Sequence, residues 1–428
     1  MINPLQNDFS IELNKLSSRQ RTIQYIASHI SEGFGVALIA EPRMGKTALL
    51  EYLRSTENIE KLYGEEGKKY VFSLINCQML TSEYTLWQFW EQVLSVIDET
   101  VEQSGSHLLL KLYVLCKNSK YRYFELEKLF HQLDKLGYKL ILMLDELDTL
   151  VAHPTLGTSD FFGILRGMSN FSGLTTLIAT RQSLSKLNES LYQISRLGSP
   201  YLNVFTEIRL KVLPPRDIAE LLNNTNNIFS RADKQFISEV SGGHPFILQI
   251  AMSALLNSPK RNSEDITQRY VKAGRKVYEA TQLHYHDLWH FWTADIRKAI
   301  VAIALLQTPH LLANKEFHQS SIKDNLHYLE PELGELNSFG LIDVDDNFAG
   351  GYKINQGSLL WWLADELIRT IREDSTFEEW LLEKQLVGGL VSQKELESLK
   401  TLAKSVGKLL DKGATTLIEA YAKAISSK

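Results

Sequence analysis

Only two cysteines, Cys77 and Cys116, occur in 428 residues. They lie far apart in sequence, in apolar surroundings, and form neither a disulfide framework nor a thiolate metal pattern. A stapled secreted scaffold is thereby excluded, and a reducing compartment fits. No stretch is long and apolar enough to cross a bilayer, and the start, Met1-Ile-Asn-Pro-Leu-Gln-Asn-Asp8, lacks the basic opening and apolar core of an export signal. A cytoplasmic protein with no membrane partner is expected. Positive charge is not in excess either: 46 Lys and Arg against 51 Asp and Glu leave a formal net charge of −5. No global field therefore draws the chain onto nucleic acid or anionic lipid. Short-period repeats and low-complexity tracts are also missing. What remains is an ordinary globular composition on a chain long enough for roughly two or three domains.

One stretch is chemically loaded: Gly35-Val-Ala-Leu-Ile-Ala-Glu-Pro-Arg-Met-Gly-Lys-Thr-Ala-Leu-Leu-Glu-Tyr-Leu53. It reads as strand, phosphate loop and helix. A nucleoside triphosphate needs several backbone N–H groups converging on its phosphates, and a tight loop entering a helix N-terminus supplies them along with the helix dipole. Lys46 then reaches the β- and γ-phosphates, Thr47 ligates Mg²⁺ and Gly45 permits close backbone approach; Pro42, Arg43, Met44 and Ala48 complete the candidate nucleotide contacts. The Walker A pattern asks for glycine where this chain has Ala40. A φ above zero there would be costly for alanine, which bears on catalytic rate more than on binding.

The second loaded stretch is Tyr138-Lys-Leu-Ile-Leu-Met-Leu-Asp-Glu-Leu-Asp148. Its large apolar residues suit a strand buried on both faces of a parallel sheet, with functional groups at the carboxyl end. Asp145 lands there as the second Mg²⁺ residue, and Glu146 as the general base that orients and polarises the attacking water. Asp148 either adds charge or caps the following helix. Lys69 to Asn76, Leu174 to Arg181 and Val204 to Leu210 read as further strands. At the end of the second of these, Thr180 is the candidate sensor of the γ-phosphate, with Arg181 beside it as a charge stabiliser. For Arg181, and for Arg166 in the helix before it, a surface ion pair is the structural alternative. Strands alternating with helices indicate a three-layer α/β domain.

Before the first strand, Ile23, Ile26, Ala27 and Ile30 are spaced for one helix face, and Arg19 or Gln20 either touches a base or starts a solvated helix. The aromatics Trp87, Phe89 and Trp90 read as core, and residues from about 103 to 137 as helices charged on one side. Beyond Leu213-Pro-Pro215 the pattern is helical, with Ser241-Gly-Gly-His-Pro-Phe246 ending one helix and opening the next. The histidines of His284-Tyr-His-Asp-Leu-Trp-His290 have no completing ligand and read as part of an aromatic packing face, so no metal besides Mg²⁺ is expected. Residues 329–354 suggest a winged helix, whose candidate recognition helix carries Glu330, Glu332 and Glu335. That acidity opposes phosphate binding, so DNA is a partner the sequence allows but does not favour. Leucine-rich helices after Ser375 need a partner surface, either in this chain or in another copy.

Taken together, Glu41-Pro-Arg-Met-Gly-Lys-Thr-Ala-Leu-Leu50, Leu144-Asp-Glu-Leu147, Phe161-Phe-Gly-Ile-Leu-Arg166, Gly198-Ser-Pro-Tyr-Leu-Asn203 and Gly242-Gly-His-Pro-Phe246 resemble the STAND class of signal-transducing P-loop ATPases, in its prokaryotic AAA-like branch. The resemblance covers about residues 1 to 370. It implies ATP or ADP held between an α/β core and a helical lid, with a winged helix folding back. His244 and Pro245 contact the nucleotide in that family, a role that residue-level reading leaves as a helix cap. The expected organisation is an α/β core over 1–212, a lid over 213–280, a winged helix over 281–372 and a C-terminal helical segment over 373–428. The resemblance further implies a switch, resting closed with ADP, whose ATP state forms a homo-oligomer or engages an unidentified protein partner. A DNA-binding loader of the origin-recognition or transposition-regulator type is the competing reading, and a scaffold that no longer hydrolyses is a third. No legible motif chooses ATP over GTP.

Overall fold

Runs of apolar, β-branched residues too short for buried helices alternate along the first half of the chain with longer amphipathic stretches, a pattern that folds as parallel strands joined by helical crossovers. The structure, a computed structural model, describes residues 17–194 except 170 and 172, 200–258 except 226 and 227, 266–311, 326–371 except 349, and 413–427. Its described residues fall into two compact units that divide between Leu210 and Lys211.

In the first unit, α1 (Ser17–Glu32) buries Ile23, Ile26, Ala27 and Ile30 and leads into β1 (Gly35–Ile39). After the loop come α2 (Lys46–Arg54), α3 (Thr56–Tyr63) and β2 (Tyr70–Asn76). Four helices follow: α4 (Leu86–Ser95), opened by a Thr85–Gln88 capping box, α5 (Asp98–Gln103), α6 (His107–Asn118) and α7 (Tyr123–Lys135). Then come β3 (Lys139–Asp145), α8 (Asp148–Val151), α9 (Ser159–Met168), β4 (Leu174–Thr180), α10 (Leu184–Ile194) and β5 (Phe205–Arg209). The five strands are parallel in the order β2-β3-β4-β1-β5. β3 and β4, next to each other in the interior, are buried almost throughout, as continuous apolar runs require. The register aligns Asn76 with Asp145 and Ile39 with Thr180. The carboxyl ends of four strands therefore share one edge, beside the point where the chain order breaks around β1, which is where open α/β sheets bind ligands.

The second unit is helical: α11 (Pro215–Asn223), α12 (Arg231–Ser241), α13 (Pro245–Leu256), the long α14 (Ile266–Phe291) and α15 (Ala294–Leu311). After them come α16 (Glu330–Phe339), a two-stranded antiparallel hairpin of β6 (Ile342–Val344) and β7 (Tyr352–Ile354), α17 (Gly357–Ile371) and α18 (Ala414–Ser426). Gly350 and Gly351, both at positive φ, lie in the turn of the hairpin. α14 runs unbroken across residues 280 and 281, where the sequence reading divides lid from winged helix, because its buried positions recur without a stop. In its core Asp233 pairs with Arg269 and accepts the Tyr270 hydroxyl at 3.1 Å. Leu417 and Ile418 of α18 are buried within the same unit, so part of the C-terminal apolar face finds its partner in this chain. Trp380, Leu381, Leu382, Gly388, Gly389, Leu396, Leu399, Leu402, Leu409 and Leu410, and with them Gly198 and Ser199, lie outside the described residues.

Three expectations are corrected. Trp87 is 39% exposed, while Phe89 and Trp90 are core, since position 87 falls on the outer side of α4. The solvent side of α6 is mixed rather than charged: Leu108, Leu110, Val114 and Leu115 are exposed beside Lys111 and Lys117, because an almost wholly apolar helix buries only Leu109, Tyr113 and Cys116. By contrast, α7 buries Leu126, Leu129, Phe130 and Leu133 and exposes Lys128, Asp134 and Lys135 as expected. On α14, His284 is buried beside Tyr285 and Trp289, but His286 and His290 face solvent. Among the described residues no group of three metal-ligating side chains occurs, and no helix is long and apolar enough to cross a membrane.

Candidate nucleotide site at the carboxyl edge of the sheet

The loop between β1 and α2 turns on two residues. Gly45, the N-cap of α2, has φ 94°, and Arg43 has φ 63°. Ala40 is not among the described residues with positive φ. It continues the strand, fully buried, donating its amide to the Thr180 carbonyl at 3.2 Å. The departure from the Walker A glycine is thus accommodated, because the left-handed turns fall later in the loop. No side chain caps α2 through its N-cap Gly45, and a helix start of this kind is the arrangement that receives anions. Lys46 is 4% exposed and donates Nζ to the carbonyls of Ala40 at 2.9 Å and Glu41 at 3.3 Å. Burial pulls its ammonium below the usual lysine range, opposed by the charges of Glu146, Asp148 and Asp145.

β3 delivers its carboxylates to the same place. Thr47 Oγ1 donates to Asp145 Oδ2 at 2.6 Å, across 98 residues of sequence. The other Asp145 oxygen accepts the Glu146 amide at 3.0 Å. A hydroxyl and a carboxylate in contact are hard oxygen donors of the type Mg²⁺ takes, so this pair fits the ion.

Past Asp145 the chain turns sharply. Glu146 sits at φ 54°, a conformation rare for a non-glycine residue and one that collects at functional sites. The turn is tied to β4 by the Leu147 amide, which donates to the Ala179 carbonyl at 2.9 Å. Glu146 Oε2 accepts Arg181 Nε at 2.8 Å, the two side chains being 16% and 27% exposed. Arg181 thus makes an ion pair, yet one within the candidate site and largely shielded from solvent rather than the surface pair of the structural alternative, with the candidate base as its partner. Asp148 Oδ1 accepts both the Thr180 hydroxyl at 2.5 Å and the Arg181 amide at 2.7 Å. Asp148 thus binds the end of β4, and the proton of Thr180 is committed to it.

Two residues gain a place that sequence reasoning did not assign. Cys77, at the end of β2, lies within the field of Asp145, Asp148 and Glu146; burial first, and those charges second, push its thiol up and keep it protonated. His153 Nε2 donates to the Thr81 carbonyl at 2.8 Å while Nδ1 accepts the Thr155 and Leu156 amides at 3.3 and 3.1 Å. That pattern requires the neutral Nε2–H tautomer and clips the loop after β2 to the turn after α8. No local pattern announces either one.

His244 and Pro245 belong to the helical unit, where they do what the capping reading expects: His244 is the N-cap of α13 and Pro245 its first residue. Gly242, at φ 53°, ends α12, and a Cβ on Gly243 would stand 2.3 Å from the Leu213 carbonyl oxygen. The His244 ring is fully buried, 5.1 Å from that of His284. Arg19, on α1, is buried, and Gln20 donates to the Tyr52 hydroxyl at 3.4 Å.

A family model described as an AAA-like domain matches residues 4–347. Among curated proteins none matches the chain by sequence. Similar solved structures include a Walker-type ATPase of Pyrococcus abyssi, at 18% identity and a TM-score of 0.47, with 80% of this chain and 95% of that one covered. The ORC2 protein of Aeropyrum pernix, in ADPNP–ADP complexes, is similar at 13% identity and a TM-score of 0.49, covering 86% and 96%. Cdc6p of Pyrobaculum aerophilum is similar at 12% identity and a TM-score of 0.41, covering 84% and 97%.

Proposed function

The chain belongs to the family of AAA-like domains, and from that premise we propose that it is an ATP-binding, slowly hydrolysing switch of the STAND type, acting in the cytoplasm. Its nucleotide state controls self-assembly or the binding of a protein partner in signalling. The observation that carries this reading is the contact of Thr47 with Asp145, 2.6 Å, beside a buried lysine and a helix start with no side-chain cap. Lys46 exchanges the Ala40 and Glu41 carbonyls for phosphate oxygens. Main-chain N–H groups from Arg43 to Ala48 hold the remaining phosphate charge, while Pro42, which has no N–H, shapes the loop that presents them. Thr47 and Asp145 hold Mg²⁺, which when bound neutralises charge on the phosphates. Glu146 accepts the proton of the attacking water, and Arg181 meets the charge of the γ-phosphate.

The helical unit is read as a lid followed by a winged helix, with His244 and Pro245 as nucleotide contacts by family resemblance. α16 carries Glu330 exposed and Glu332 and Glu335 half-buried, an acidity that disfavours the DNA-loading alternative. Light scattering after gel filtration, with ADP and then with Mg²⁺ and a non-hydrolysable ATP analogue, tests the reading. A discrete oligomer formed only with the triphosphate is expected. A monomer that binds both nucleotides without change would overturn the assembly role, and failure to bind either would overturn the site. Salt-dependent DNA affinity at physiological ionic strength would favour the loader instead.

A further inference from the structure

Asp148 lies close to the site, its side chain 12% exposed, yet the hydrolysis scheme gives it no task. Its carboxylate makes two short hydrogen bonds, both to the end of β4: Oδ1 accepts the Thr180 hydroxyl at 2.5 Å and the Arg181 main-chain amide at 2.7 Å. The other oxygen stands 3.8 Å from Arg181 Nε, near but beyond a hydrogen bond. The guanidinium of Arg181 itself goes to Glu146, at 2.8 Å. Asp148 therefore fixes the backbone from which Arg181 projects and leaves the guanidinium to choose its anion.

We propose that Asp148 is a positioning residue for nucleotide hydrolysis: it anchors Arg181 so that the guanidinium passes between the Glu146 carboxylate and a γ-phosphate. This inference rests on the ATPase reading above. While Arg181 engages Glu146, the carboxylate that must take the water's proton is occupied by a cation. A triphosphate presents a denser anion to the same guanidinium, draws it away, and frees Glu146 at the moment substrate is complete. A diphosphate has no γ-phosphate to offer, so the pair stays closed. Discrimination between the two nucleotides and activation of the base thus share one arginine, and both depend on where Asp148 holds it.

The test uses the full chain and four variants, Asp148→Ala, Asp148→Asn, Arg181→Ala and the Asp148→Ala/Arg181→Ala double variant. Dissociation constants are measured for a fluorescent ADP and for its non-hydrolysable triphosphate counterpart, with steady-state hydrolysis alongside. Asn at 148 keeps an oxygen that can accept both hydrogen bonds, so Asp148→Asn is expected within about threefold of wild type. Asp148→Ala is expected to keep ADP affinity, weaken the triphosphate about tenfold and lower kcat about tenfold. The double variant is expected to match Arg181→Ala alone, because residues acting through one another are not additive. Additive losses in the double variant, equal losses for ADP and triphosphate, or wild-type behaviour of Asp148→Ala would each overturn the inference. A wild-type chain that binds no nucleotide would overturn the ATPase reading along with it.

Discussion

Replacing Ala40 by glycine restores the residue that the Walker A pattern asks for, and the structure predicts that the protein gains nothing from it. Ala40 is fully buried and lies outside the set of positive-φ residues; its amide bonds to Thr180 and its carbonyl to Lys46, at 3.2 and 2.9 Å. Glycine would remove one buried methyl, about 0.8 kcal/mol, and give the unfolded chain more freedom, about 0.4–1 kcal/mol. The α/β unit should therefore lose about 1–2 kcal/mol, while nucleotide affinity stays within about twofold, since no phosphate-facing amide changes direction. Gly45→Ala is the counterpart: at φ 94° a Cβ costs about 1–2 kcal/mol and must turn the loop amides. Urea denaturation followed through tryptophan fluorescence reads the first quantity, and fluorescent-nucleotide titration reads the second. An Ala40→Gly protein that binds the triphosphate more than about tenfold tighter with undiminished stability would refute the reasoning, because position 40 would then have been strained.

Glu146→Gln should retain nucleotide affinity and lower single-turnover hydrolysis by about 10²-fold or more, since the amide cannot take the water's proton; retained hydrolysis would count against Glu146 as the base. Lys46→Ala should abolish binding of both nucleotides in the same titration, and measurable ADP affinity would remove Lys46 from the site. In the helical unit burial disfavours the Asp233 carboxylate, but the Ser230 amide and Arg269 outweigh it and hold its pKa below the ordinary range. A depressed folded pKa means a stabilisation present above the unfolded value, about 3.9, and lost as pH falls through the folded one. Urea midpoints should therefore drop on acidification below about pH 4 in wild type and drop less in Asp233→Asn; equal drops would show that the acid sensitivity lies elsewhere.

Strand and helix placement was legible because it is a property of neighbouring residues. Ile23, Ile26, Ala27 and Ile30 lie on one face by helical spacing alone, and the run Leu140 to Leu144 fits only a strand covered on both sides. Gly45, Lys46 and Thr47, and the pair Gly242 and Gly243, announced their backbone geometry through residue type, since glycine at positive φ is a local requirement. The same local view left Ala40 in question, because residue type does not state which loop position bears the left-handed turn. It also put Trp87 in the core and a charged side on α6, where periodicity is blurred by an excess of apolar residues.

Tertiary structure decided the partners. Thr47 meets Asp145 across 98 positions, and Arg181 meets Glu146 across 35, only because β1, β3 and β4 end at one edge of the sheet. Asp148 could be read as charge or as cap until β4 lay beside it, and His153 carried no signal until Thr81 faced its ring. Composition, spacing and residue type thus determined which elements form and what chemistry they carry. Which carboxylate faces which cation was decided by strand order, since hydrogen bonds and ion pairs depend on distances in space that sequence separation does not encode.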